Sequence, residues 1–103
     1  MTRVEWTEPA VSDLENIQDY IAKDSAEYAD AMVERLVLSV DRLNSFPESG
    51  RQVPEAADPK VRELFVSNYR VIYRLKRGVV QILAVLHGAR SLSSMKPKPW
   101  TTR

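Results

Sequence analysis

Arg62, Arg70, Arg74 and Arg90, with His87 as the single histidine, are the side chains whose chemistry could amount to a site. Each guanidinium is a permanent cation with a planar fork of donors, suited to phosphate or carboxylate. An imidazole can move a proton near neutral pH. Together they would stabilise an anion. The setting is as informative as the groups. From residue 60 to the end there are ten Lys and Arg against one acid, Glu63, a net of +9. Residues 1–59 carry five basic and thirteen acidic residues, a net of −8, so the overall +1 conceals a strong asymmetry. Such a split points to an acidic scaffold joined to a basic surface that meets RNA, DNA or an acidic protein.

The composition excludes several classes. With 103 residues and 44% apolar content, one domain with an adequate core is expected. Zero cysteines and one histidine leave no set for a metal site or a disulfide framework, so neither a metal nor another cofactor is expected. There is no apolar run of membrane-spanning length and no signal-peptide pattern, and a cytoplasmic location is expected.

The elements that would position these groups follow from periodicity. Val4 and Trp6 alternate with Arg3 and Glu5, giving a short strand. Thr7-Glu8-Pro9 starts a helix with Thr7 as N-cap, and Ala10, Leu14, Ile17 and Ile21 form its apolar stripe, widened by Val11 and Tyr20. Asp24-Ser25-Ala26-Glu27 has the capping-box pattern and opens a second helix, apolar at Ala29, Met32, Val33, Leu36, Val37, Val40 and Leu43. The short break makes the two an antiparallel hairpin. Residues 47–60, with three prolines and a glycine, read as a long loop. Val61–Val66, Tyr69–Lys76 and Val79–His87 are β-rich runs separated by Ser67-Asn68 and Arg77-Gly78, an antiparallel meander. Residues 1–90 thus form one domain, and 91–103 a basic, mobile tail. The order β-α-α-β-β-β gives an α+β two-layer sandwich: a helical hairpin on one face of an antiparallel sheet, the other face partly open.

Strand alternation turns Tyr69, Val71, Tyr73 and Leu75 toward the helices, and Arg70 and Arg74 to the open face. Arg62 would join Arg70 if the hairpin register allows, with His87 and Arg90 at the end of the last strand. Arg62, Arg70, Arg74 and Arg90 are then an anion- or target-binding platform. Taken singly, the arginines also fit ordinary edge protection, and His87 a strand-end histidine. Three or more guanidinium groups on one face repel each other unless an anion lies between them.

The chain resembles the RelE/ParE superfamily of bacterial type II toxins. The resemblance is carried by Trp6-Thr7-Glu8-Pro9-Ala10 with Asp13-Leu14, Phe46-Pro47 with Gly50-Arg51, Val61-Arg62-Glu63-Leu64, Tyr69-Arg70-Val71-Ile72-Tyr73, and Ile82 through Arg90. It implies a growth-inhibiting toxin, of the kind linked to plasmid stabilisation, neutralised by a cognate antitoxin. RelE-like members are ribosome-dependent mRNA endonucleases, and ParE-like members inhibit DNA gyrase. By resemblance Arg62, Arg70 and Arg90 match RelE-like basic positions, and His87 would have to supply the proton transfer. Leu64 stands where a lysine is expected and no tyrosine follows Arg90. The His-Gly-x-Arg ending, the Pro-x-x-Gly-Arg loop and the lack of an added C-terminal helix resemble the ParE-like branch. A gyrase-directed toxin is therefore the leading expectation, a metal-independent ribonuclease the alternative, and an antitoxin-binding module without toxicity the third.

Overall fold

The computed structural model describes residues 2–88, 90, 92 and 95–101. Strand β1 (Arg3–Trp6) leads into helix α1 (Glu8–Ala22), and helix α2 (Ala26–Asp41) ends in a 3-10 turn at Arg42–Asn44. A two-residue strand β2 (Arg51–Gln52) and a 3-10 turn (Pro54–Ala56) interrupt the long loop. Then come β3 (Val61–Val66), β4 (Tyr69–Lys76) and β5 (Val79–His87), with a last 3-10 turn at Pro99–Thr101. The α+β sandwich expected from periodicity is the observed architecture, with helices packed on a five-stranded sheet of order β1-β5-β4-β3-β2.

Two features depart from a purely antiparallel sheet. β1 lies parallel to β5, with Arg3 opposite Val79 and Trp6 opposite Ile82. β2 adds a fifth strand, antiparallel to β3. Thr7 makes the parallel arrangement possible. Its N–H donates to the Ile82 carbonyl at 3.1 Å, its hydroxyl donates to the same oxygen at 2.7 Å, and that hydroxyl accepts from Ala10 N–H at 3.3 Å. One residue thus ends β1, caps α1 and ties both to β5. The second helix is capped one residue later than the Asp24 pattern implies: the Ser25 hydroxyl accepts from Tyr28 N–H at 3.1 Å.

The tight turns are those the sequence calls for. Ser67 (φ 54°), Arg77 (φ 48°) and Gly78 (φ 76°) supply the left-handed backbone that hairpin turns need. Between β4 and β5 the register shifts: Ile72 faces Ala84, Tyr73 faces Ile82, and Leu83 is the extra residue. The bulge lets Ile82 and Val85 both face the helices while Leu83, Ala84 and Leu86 face the other way.

Both faces of the sheet are covered. On the helical side Leu36, Val40, Leu43, Val71, Tyr73, Val80 and Ile82 are buried. On the other, Val61, Ile72, Leu83, Ala84 and Leu86 form a second core with Val53 from the loop and Leu92 from the tail. Met95, Trp100 and Ala56 pack against it. The expectation of a partly open face is therefore corrected, and described residues of the tail contribute to its cover: Leu92 is fully buried, and Arg74 donates to the Trp100 carbonyl. Continuous apolar content in β5 requires cover on both sides, and the tail supplies part of it.

Candidate functional site

The basic residues singled out in the sequence separate into three environments. Arg62 shares its strand face with Leu64 and Val66, which pack toward the helices, rather than with Arg70. Its Nη1 donates to the Gly50 carbonyl at 2.7 Å and to that of Glu48 at 3.3 Å. Tyr73 reinforces the same loop: its hydroxyl donates to Pro47 O at 2.9 Å and accepts from Gly50 N–H at 3.0 Å. Burial pushes the Tyr73 phenol above its usual range, so the hydroxyl keeps its proton for Pro47. Arg62 is thus a clamp on residues 47–50.

Arg70 lies on the opposite face, only 7% exposed. Its Nε and Nη2 donate to Glu63 Oε1 at 2.8 and 2.5 Å, while Arg51 Nε donates to Glu63 Oε2 at 2.6 Å. The fully buried Glu63 side chain therefore holds two guanidinium groups, one per oxygen, with Glu55 a further 4.0 Å from Arg70. Phe65 sits between them, its ring 5.2 Å from Arg51 and 5.8 Å from Arg70. A buried carboxylate with two cations is a structural ion network, and Arg70 is neutralised within it. Arg74, on the same face, holds the tail.

His87 and Arg90 meet elsewhere. Both are exposed and line a groove between α1 and the end of β5, with Asp13, Asn16, Tyr20 and Tyr69. The His87 and Tyr69 rings meet edge to face at 5.8 Å. Asp13 builds the floor, since its Oδ2 accepts from Val85 N–H at 2.9 Å and satisfies the β5 edge beyond the end of β1. Burial raises the Asp13 carboxyl above 3.8, while the Val85 bond and the Arg90 charge pull the other way. The groove offers an aromatic wall, a cation and a titratable ring. Of the expected residues it unites His87 and Arg90, whereas Arg62, Arg70 and Arg74 lie outside it, so the single crowded arginine platform does not form.

Asp13, Tyr20, Tyr69, Arg51, Phe65 and Glu63 are not among the site residues expected from sequence; Tyr20 and Val11, expected on the apolar stripe of α1, are exposed instead. Glu63 had a visible signal, as the one acid among ten bases. The others draw their position from long-range packing. Among the described residues, no three His, Cys, Asp or Glu gather as metal ligands, and no helix is long and apolar enough to cross a membrane.

The same fold and residue order occur in known proteins. Toxin RelE2 of Caulobacter vibrioides is 38% identical over 91 residues, covering 87% of this chain and 99% of that protein. Toxin ParE3 of the same organism is 31% identical over 99 residues, covering 95% and 98%. A solved chain from the chromosomal ParDE toxin–antitoxin system of P. aeruginosa superposes with a TM-score of 0.72 at 29% identity, covering 84% of this chain and 96% of that one. Residues 4–92 match the family described as the ParE toxin of the type II toxin–antitoxin system, parDE. With the helical hairpin, the mixed sheet and the matched span in agreement, the chain belongs to the ParE toxin family of type II toxin–antitoxin systems.

Proposed function

We propose that this toxin arrests growth in the cytoplasm by binding DNA gyrase, not by cutting RNA. The observation that carries this reading is the dispersal of the cations. Metal-independent cleavage needs several cations around one phosphate, with a base and an acid in reach. Here Arg70 is spent on Glu63 and Arg62 on loop carbonyls on the other side of the sheet. What stays exposed is the groove of Tyr20, Tyr69, His87 and Arg90, rich in the aromatic and arginine side chains that anchor protein interfaces. Its occupant on this reading is a gyrase surface. The antitoxin that membership of a type II system implies is the second partner. The reading requires no cofactor.

The test is supercoiling by purified gyrase with and without toxin. Inhibition, relieved at least tenfold by Arg90→Ala or Tyr20→Ala, is expected, with translating mRNA left intact. Codon-positioned cuts in mRNA and unimpaired supercoiling would overturn the proposal. One observation favours that second reading, a RelE-like ribonuclease: His87 and Arg90, a titratable ring and a cation, line one groove. It requires that His87→Ala abolish cleavage with the fold intact.

A further inference from the structure

Helix α2 buries Ala29, Met32, Leu36 and Val40, yet its outer side carries Leu38, 58% exposed. A lone surface leucine is ordinary, and what sets this one apart is its neighbours. Along one row of the helix surface, at steps of four, Leu38 stands between Glu34 and Arg42, each about 6 Å away by the rise of a helix. The row stays helical to its end. Arg42 has right-handed helical backbone (φ −65°, ψ −18°), and Phe46 N–H donates to its carbonyl at 3.0 Å. Charges on a helix usually pair at steps of three or four, but the side chain four positions inward from each of these is Leu38. The ion pairs among the described residues include neither Glu34 nor Arg42.

A groove runs beside that row. Its six lining residues are two adjacent rows, Ala31-Arg35-Ser39 and Glu34-Leu38-Arg42. Small side chains at Ala31 and Ser39 leave a hollow between the rows, of the kind that a row on another helix fills when such rows interdigitate. An identical helix laid in the opposite direction, at the crossing of about 50° that this packing gives, matches it. Leu38 of each copy then lies between Leu38 of the other and the aliphatic stem of the other's Arg35. Glu34 of each copy faces Arg42 of the other, so two equal ion pairs bracket the leucines.

We propose that the outer face of α2 is a self-association surface, and that this protein forms a two-fold dimer through Glu34, Leu38 and Arg42. Charge complementarity selects a second copy as the occupant. An acid and a base at equal distances on either side of Leu38 are their own complement under a two-fold axis. One helix crossing is smaller than a standard interface, so the dimer is reversible and concentration-dependent. This face shares no lining residue with the His87–Arg90 groove, which the dimer therefore carries twice. The inference goes beyond the gyrase reading and does not depend on it.

The experiment is sedimentation equilibrium of the full-length protein, freed of antitoxin, across a range of concentrations at low salt. A monomer–dimer equilibrium is expected. Leu38→Ser should weaken it at least tenfold, and so should either charge reversal, Glu34→Arg or Arg42→Glu, because each acts on both ion pairs. All three side chains are exposed, and circular dichroism of the variants should match that of the wild type. Mixing Glu34→Arg with Arg42→Glu should restore association to within threefold of wild type, since the two variants complement each other at both pairs. Damaged folding cannot mimic that rescue. A monomer at every concentration up to the solubility limit overturns the inference. A dimer indifferent to Leu38→Ser and to both reversals also overturns it, by placing the contact on another surface. So does a mixture of the two reversed variants that associates no better than either alone.

Discussion

The two faces of the sheet are both closed, by opposite means. The helical face is covered by two long amphipathic elements, each capped and each presenting one continuous stripe. The other face is covered by fragments: Val53 and Ala56 from the loop, and Leu92, Met95 and Trp100 from the tail. Regular cover advertises itself through periodicity, whereas fragmentary cover depends on single anchors, among them a buried ion network. Closing a sheet therefore says nothing about how evenly its stability is shared.

Four measurements break or sharpen this contrast, starting with the largest effect. Glu63→Ala strands Arg70 without its counter-charge on the fragment-covered face, and thermal or urea unfolding should show a loss of about 3–5 kcal/mol. A loss below that of a typical surface change would mean that the network adds nothing to the second face. Next, Leu36→Ala under the helices should cost about 2–5 kcal/mol, and Leu92→Ala in the tail should fall in the same range, since both side chains are fully buried. If Leu92→Ala is silent, the tail is not part of the core. Third, Tyr73→Phe leaves Gly50 N–H and Pro47 O without their partner, a loss of about 1–3 kcal/mol with faster amide exchange at residues 47–50.

The smallest effect concerns Asp13, at the border between helix and sheet. An acid whose native pKa is raised loses its proton later in the fold than in the unfolded chain. Stability therefore falls as pH rises from 3.8 through the raised value. Asp13→Asn keeps an oxygen for Val85 N–H and removes the charge. Its pH–stability curve should lack that downward slope, with no loss of stability at neutral pH. A steeper slope in the variant would contradict burial as the dominant influence.

Much of this architecture is legible in the residues. Val61–Val66, Tyr69–Lys76 and Val79–His87 are observed with the bounds expected, because β-rich runs between two-residue turns leave few alternatives. Thr7 caps α1 as its position before Pro9 requires. β2 was hidden because two residues have no period, and its hold on the sheet includes the Arg51–Glu63 pair. The packing of Leu92 and Trp100 on the second core has no regular spacing to announce it. Arg62 went to the wrong face for a definite reason. In Val-Arg-Glu-Leu-Phe-Val both alternating sets mix apolar with charged residues, so alternation does not say which side is in. The groove of Asp13, Tyr20, Tyr69, His87 and Arg90 draws on α1, β4 and β5, and no local pattern announces such a gathering.

The parallel pairing of β1 with β5 also fixes when this molecule can finish folding. The bond from Thr7 to Ile82 spans 75 positions, and until the second of these is made the first strand has nothing to lie against. At roughly 5–20 residues per second of synthesis, that interval lasts on the order of 4–15 s. During it the nascent toxin is an exposed hairpin of amphipathic helices trailing an orphan strand, and the folded shape exists only once β5 has been made.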